Sequence, residues 1–301
     1  MSSLVEDLNH VPSPAEAGRL GDCGIVIADA GSAAHVVAWL PHLTDVVGVF
    51  STGWARGIPA AGELRQFQDA ASVIDACEWL LVGSGWTPQL ADSVRAARRA
   101  DRLVLSVLDH WVNYRVRFGP DPLDLPDAVI VTDPYAREIA GSSLPGVAVL
   151  EWPNTLADDI GSATASLRQA RDPAGAWRVL VIAEPLAAGG GHGPERSVLA
   201  RLPDVLGPLN PGASNVHIAL RLHPIEADDK YDSIRAEWPS TVSVASARDS
   251  PLAEQFAWAD AVVGFNSYAL YLASHCGLPT YTLARRAGVE TTLPVGIAVP
   301  L

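Results

Sequence analysis

A short apolar run, Gly24-Ile25-Val26-Ile27-Ala28, ends at Asp29 and gives way to a segment in which His35, Val36, Trp39 and Leu40 recur at helical spacing. This predicts strand, loop and helix, because a buried strand is a brief continuous apolar run and an amphipathic helix shows its own longer period. The alternation returns with predicted strands at 46–50, 79–82, 103–107, 128–131 and 147–150, and a helix at 88–100 with a basic outer face. The strand signal then fades. Pro153, Asp158, Asp159, Gly161 and Pro173 predict an inter-domain linker with a short helix, drawn at 153–175. A second series follows, with strands at 179–183, 216–220, 242–244 and 261–263 and helices at 195–206, 231–237, 252–258 and 268–276. Continuous apolar strands alternating with helices imply parallel sheets covered on both faces, and no solenoid period is visible. The expected fold is α/β: two Rossmann-like doubly wound parallel-sheet domains facing a cleft. The expected division is a frayed leader at 1–22, an N-terminal domain at 23–152 and a C-terminal domain at 176–301.

Composition narrows the function classes. With 49% apolar and 18% charged residues in 301, the chain can bury two ordinary cores. A net charge of -13 argues against a surface that tracks nucleic-acid phosphates and against a polybasic membrane patch. Lys230 is the only lysine. Cys23, Cys77 and Cys276 are odd in number, far apart and set in apolar segments, which fits reduced core residues. No basic and then apolar leader is visible, and no apolar stretch reaches the length of a membrane span. A soluble, cytoplasmic protein is expected, with its oligomeric state left open and a homo-oligomer included.

In doubly wound sheets ligands bind beyond the carboxyl ends of the strands, so the residues just after each strand are the candidates. In the first half these are Asp29 with Gly31, Ser32 and His35, then Trp54, Ser84 and Trp86, then Asp109, His110, Trp111 and Tyr114, and Asp133. In the second half they are Glu184, the glycines 189–191 with His192, His223-Pro224, Ser246, and Asn266-Ser267. His35 suits a general base because imidazole titrates near neutrality, and Asp29 or Asp109 could orient it; a helix-face histidine without a role is the alternative. Asp109, His110 and Tyr114 suit an acceptor surface, against a capped turn that packs its aromatic rings inward. Gly190 and Gly191 could cradle a phosphate with their amides, although a connector of this composition is as ordinary. Glu184 could bind a sugar hydroxyl or take part in acid/base work.

Arg221-Leu222-His223-Pro224 after one strand, followed by Gly264-Phe265-Asn266-Ser267 with Ala269-Leu270 and Gly277-Leu278-Pro279, resembles the donor-binding half of GT-B glycosyltransferases. In pattern it is similar to the polysialyltransferase and CDP-glycerol transferase-like capsule enzymes. The resemblance spans about a hundred residues at motif level and implies a GT-B-like fold. It implies that His223 and Ser267 grip the nucleotide's phosphates, with His223 assisting the leaving group. That is sound chemistry without a metal, because a cationic imidazole, a hydroxyl and helix N-terminal amides all stabilise new charge on a departing phosphate. Asn266 and Ser267 would equally cap the helix they open. At 301 residues the chain is compact for that fold, and no long returning helix is evident after 280–283.

Other chemistries leave no trace. There is no Asp-x-Asp, Gly-x-Ser-x-Gly, His-Glu-x-x-His or Cys-x-x-Cys, and His217 and His223 straddle a strand end and point apart, so no metal site is expected. The resemblance thus implies a metal-independent glycosyltransferase that needs no cofactor beyond the nucleotide-sugar co-substrate. With no basic or amphipathic face for a bilayer, its acceptor is expected to be small and soluble. A nucleotide-sugar hydrolase or epimerase, or a non-catalytic protein of the same fold, remains open, since fold alone does not choose among them.

Overall fold

The computed structural model describes residues 11, 13–53, 55, 64–84, 87–168, 176–187, 191–210, 215–247 and 250–301. The chain divides into two compact units, Met1–Leu156 and Ala157–Leu301, each built on its own sheet.

The first unit runs β1 (Cys23–Ile27), α1 (Ala30–Trp39), β2 (Val46–Ser51), α2 (Ala70–Ala76), β3 (Trp79–Gly83), α3 (Pro88–Arg99), β4 (Leu103–Val107), β5 (Ala128–Val131), α4 (Pro134–Ser143) and β6 (Ala148–Glu151). Its six strands lie in the order β2-β1-β3-β4-β5-β6, all neighbours parallel. Strand alternation explains the two cores: Ile25 and Ile27 pack on one face with Trp39, Leu81 and Leu105, while Val26 and Ala28 pack on the other with Leu80, Val82 and Val94. The leader is not frayed where it is described. Val11 and Ala17 are buried, and the Trp152 indole donates to the Val11 carbonyl at 2.9 Å.

The second unit runs α5 (Thr155–Arg168), β7 (Trp177–Ile182), α6 (Pro194–Ala200), α7 (Leu202–Leu206), β8 (Val216–Arg221), α8 (Asp232–Glu237), β9 (Val242–Ser246), α9 (Leu252–Trp258), β10 (Ala261–Gly264), α10 (Tyr268–His275), β11 (Thr280–Thr282) and β12 (Val299–Pro300). The strand order is β12-β11-β10-β7-β8-β9, again parallel throughout. Three expectations change here. The short helix expected within the linker is the 14-residue helix α5, whose Ala157 and Thr164 are buried and whose Arg168 donates to the Ala259 carbonyl at 3.0 Å. The single helix expected at 195–206 is two, because Pro203 has no N–H to give and crowds the carbonyl one turn back. Thr280–Thr282 and Val299–Pro300 add two strands, too short to announce themselves by period.

All three cysteines are free, Cys23 and Cys77 buried and Cys276 half-buried. Among the described residues no helix is long and apolar enough to cross a membrane.

Candidate functional site

Both sheets reverse their winding direction, which opens a crevice beyond the strand ends: between β1 and β3 in the first unit, and between β7 and β10 in the second. Asp29 and Ser84 of the first unit and Glu184 and Asn266-Ser267 of the second follow the strands at these two places, with Asp109 and His223 one strand further on, whereas Asp133 follows β5 and Ser246 ends β9, farther out.

In the first unit, Asp29, Ser84 and Asp109 follow the adjacent strands β1, β3 and β4. Arg117 joins them, with Nη1 donating to Asp109 Oδ1 at 2.5 Å and to Ser84 Oγ at 3.1 Å. Both side chains are mostly enclosed, at 6% exposure for Arg117 and 14% for Asp109, so the pair is screened little by water. Asp29 carries a raised pKa. Burial is the main cause and the Asp109 charge the next, with Arg117 opposing. One guanidinium thus serves two carboxyls, one of them biased towards its protonated form. Gly31 belongs to the arrangement through its missing side chain, since a Cβ there would lie 1.9 Å from Asp109 Oδ2.

Other expected residues are placed differently. His35 is 1% exposed, on the inward face of α1 with its ring 5.8 Å from that of Trp39. Burial holds its imidazole down to about 4, with the Asp109 charge partly opposing, so it is neutral near pH 7 and too enclosed to meet an acceptor. Asp109 is less enclosed, its side chain 14% exposed. Ser32 is fully buried, its hydroxyl donating to the Asp29 carbonyl at 3.5 Å and packing where a Gly83 side chain would otherwise sit. Tyr114 is 2% exposed, and burial pushes its phenol pKa far up, with the Asp133 charge adding to it. It is a core residue and not an acceptor surface. Asp133 anchors the turn, accepting from the Trp111 indole at 3.0 Å and from the Ala136 amide at 2.7 Å. His110 stays half-exposed, with Nδ1 accepting from the Trp111 amide at 3.0 Å. Trp54 and Trp86 lie outside the described residues.

The buried His35 has a measurable consequence. Its native pKa of about 4 lies below the ordinary value of 6.5, so between those pH values the unfolded chain binds more protons. Stability of the first unit should therefore fall as pH drops from about 6.5 towards 4, by up to about 3 kcal/mol at roughly 1.4 kcal/mol per pKa unit. Urea denaturation at stepped pH should show this slope in the wild type and lose it in His35→Leu.

In the second unit, Glu184 ends the central strand β7, with His223 beyond β8 on one side and Asn266-Ser267 beyond β10 on the other. Glu184 Oε2 accepts from the Asn266 amide at 2.7 Å across the crevice. Its pKa is raised, by burial first and by the charges of Glu226 and Glu195, against the Asn266 amide. Asn266 is fixed from both sides, donating to the Glu290 carbonyl and accepting from the Thr292 amide, each at 3.0 Å. Ser267 caps α10, its Oγ accepting from the Ala269 amide at 3.2 Å; the hydroxyl proton stays available to an anion at this positive helix end. His223 is exposed, with Nδ1 accepting from the Ile225 amide at 3.3 Å, an arrangement that assigns the proton of the neutral ring to Nε2. It can therefore donate to a phosphate without being cationic.

The glycine-rich stretch is described only in part. Gly190 lies outside the described residues and Gly191 is exposed. The Gly193 amide is taken by Glu195 Oε1 at 3.0 Å, so this amide faces a carboxylate of the chain itself. Among the described residues no group of His, Cys, Asp and Glu is arranged to hold a metal. The reading of strand ends did not single out Arg117, Glu195, Glu226 or Lys230. Lys230, as the only lysine, was the one with a visible signal.

No family model matches the sequence, and no curated protein matches it. Among solved structures the chain is similar to UDP-GlcNAc 2-epimerase from Neisseria meningitidis bound to UDP-GlcNAc, at 15% identity and a TM-score of 0.61 over 90% of this chain and 88% of that one. The UDP-GlcNAc 2-epimerase of Methanocaldococcus jannaschii gives 11% identity and a TM-score of 0.60 over 93% and 88%. MurG of Acinetobacter baumannii gives 13% and 0.52 over 91% and 80%. At such identities the likeness is one of fold, and the chain has the two Rossmann-like units of the GT-B architecture.

Proposed function

We propose that this chain is a nucleotide-sugar enzyme that transfers the sugar to a small soluble acceptor without a metal ion or further cofactor, the second unit holding the nucleotide and the first presenting the acceptor. The observation that carries the reading is the junction of β7 and β10, where Glu184 meets the Asn266 amide at the mouth of α10. A diphosphate seated there would receive the Ser267 hydroxyl, the amides and dipole of the helix end, and the Nε2–H of His223 one strand beyond. These groups act on charge that grows as the bond from the anomeric carbon to phosphate oxygen breaks. The acceptor hydroxyl gives up its proton as its oxygen bonds to the anomeric carbon, and within the first unit Asp109, held by Arg117, is the carboxylate suited to take it. Similar folds that bind UDP-GlcNAc support the nucleotide half of this reading, as does the resemblance of the 221–224 and 264–267 motifs to polysialyltransferase and CDP-glycerol transferase-like enzymes.

A second reading, epimerisation or hydrolysis, is favoured by one feature: Asp29 and Asp109 around a single guanidinium, with Asp29 biased towards its protonated form, is a pair suited to removing and returning a proton. Incubation with nucleotide sugars in deuterated water separates the outcomes. Deuterium on a sugar carbon indicates epimerisation, nucleotide release without acceptor indicates hydrolysis, and acceptor-dependent release indicates transfer.

Binding comes before turnover. His223→Ala should weaken affinity for UDP, CDP or GDP, whichever binds, by about 1.5 to 3 kcal/mol, the range of a hydrogen bond to a charged group, and Ser267→Ala by less. Calorimetry in which both variants match the wild type would remove the phosphate site from the β7–β10 end.

A further inference from the structure

Of the 21 lysines and arginines only one is a lysine, and it is not on the surface. The Lys230 side chain is 3% exposed, and its Nζ donates to Glu195 Oε1 at 3.0 Å and to Glu226 Oε1 at 2.7 Å, both carboxylates being wholly buried. Replacing a buried ionic triad with apolar side chains is often neutral or stabilising, so ion pairing by itself gives little reason for this one. The remaining contacts show what it holds.

Glu195, in the first turn of α6, accepts from the Gly193 amide at 3.0 Å and from the Leu186 amide at 3.4 Å, two points on the chain that leaves β7. Glu226 Oε2 accepts from the His223 amide at 2.9 Å, on the chain that leaves β8, and its Oε1 also accepts from the Tyr231 hydroxyl at 2.6 Å. Each carboxylate therefore holds backbone at the end of a different strand, and Lys230 ties one carboxylate to the other. Gly193 is shaped for this contact, since a Cβ there would lie 2.3 Å from Glu195 Oε2. Burial pushes the Glu195 carboxyl up, but the Lys230 and amide hydrogen bonds outweigh it and hold its pKa below the usual value. Arg196 secures the lysine from behind, donating to the Lys230 carbonyl at 2.9 Å and to the Ser233 hydroxyl at 2.6 Å.

We propose that Glu195, Lys230 and Glu226 form a buried clamp that sets the spacing between the chain leaving β7 and the His223 turn leaving β8, so that Lys230 is a positioning residue for the nucleotide diphosphate and never touches it. The positioning role rests on the nucleotide reading above; the clamp does not. Lys230→Met leaves two carboxylates facing each other, and relief comes by moving apart the strand ends they hold. The triple variant Glu195→Gln, Lys230→Met, Glu226→Gln carries no buried charge, yet each glutamine offers one acceptor oxygen where the carboxylate offered two. It should fold as stably as the wild type and still hold the strand ends loosely.

The test joins hydrogen exchange at the Leu186, Gly193 and His223 amides with calorimetric titration of UDP, CDP and GDP. Exchange at all three amides should rise at least tenfold in both variants. Nucleotide affinity should fall at least tenfold in both, with the melting temperature of the triple variant close to that of the wild type. Should Lys230→Met fail to fold, the triple variant carries the whole test. Wild-type exchange at the three amides in the folded triple variant overturns the clamp, whatever the nucleotide result. Raised exchange with unchanged nucleotide affinity overturns the positioning role. A wild type that binds no nucleotide while the variants show raised exchange overturns the nucleotide reading and leaves the clamp standing.

Discussion

Asp109→Asn is expected to lower turnover of the productive nucleotide sugar by about 10²- to 10⁴-fold, the usual contribution of a positioned general base. The substitution is nearly isosteric, and the amide oxygen can still accept from the Arg117 guanidinium that lies 2.5 Å from the carboxylate, so the turn after β4 should keep its shape. What is lost is the ability to take a proton. Because the proposed nucleotide site lies in the second unit, donor affinity should stay within about twofold, and a fall in kcat with unchanged donor KM is the sign of an interaction made only in the transition state. Arg117→Gln should also lower kcat, but by mispositioning a base that can still ionise, so adding back the guanidinium as a small soluble cation should recover part of its rate and none of that of Asp109→Asn. Steady-state kinetics in which Asp109→Asn retains more than about a third of wild-type kcat would transfer the acid/base role elsewhere, with the neighbouring Asp29 the next carboxyl to test.

The two sheets were legible in the sequence because their inner strands, such as Leu80-Leu81-Val82 and Val129-Ile130-Val131, are buried on both faces and read as unbroken apolar runs. The short strands Thr280–Thr282 and Val299–Pro300 and the full length of the helix at the unit boundary were harder. Helix α5 contains Gly161, Asp158 and Asp159, residues that favour loops by local propensity, and it forms because Ala157 and Thr164 find a packing surface in the second unit. Local sequence cannot show that surface.

The candidate site divided in the same way. Residues directly after strands, such as Asp109, Glu184 and Asn266, could be located because a parallel sheet fixes where its strand ends must lie. Whether each points outward or inward depended on tertiary packing, which turned His35, Ser32 and Tyr114 into buried residues. Arg117 reaches Asp109 only because its loop folds back over the end of β4, and Lys230 meets Glu195 across 35 positions of chain. Contacts of that kind leave no local periodicity to read.

Trp39→Ala is expected to destabilise the first unit by about 3 to 5 kcal/mol, the range for truncating a buried tryptophan. Trp39 has no exposed surface, ends helix α1, and sets its ring edge-on to Trp152 at 5.0 Å while its indole donates to the Pro153 carbonyl at 3.0 Å. It thus joins the first helix of the unit to the chain leaving its last strand, and Trp152 extends the connection to Val11. Alanine would leave a cavity and strip a carbonyl of its donor, whereas Trp39→Phe would keep much of the packing and lose the hydrogen bond, for about 1 to 3 kcal/mol. Because two units need not unfold in one transition, the free energies should be read locally, from native-state hydrogen exchange at the β1 and β3 amides with the β7 and β8 amides as internal reference. Equal losses in the two variants would show that the hydrogen bond dominates. A loss below about 1 kcal/mol for alanine would show that the Trp39–Trp152 contact does not hold this unit closed.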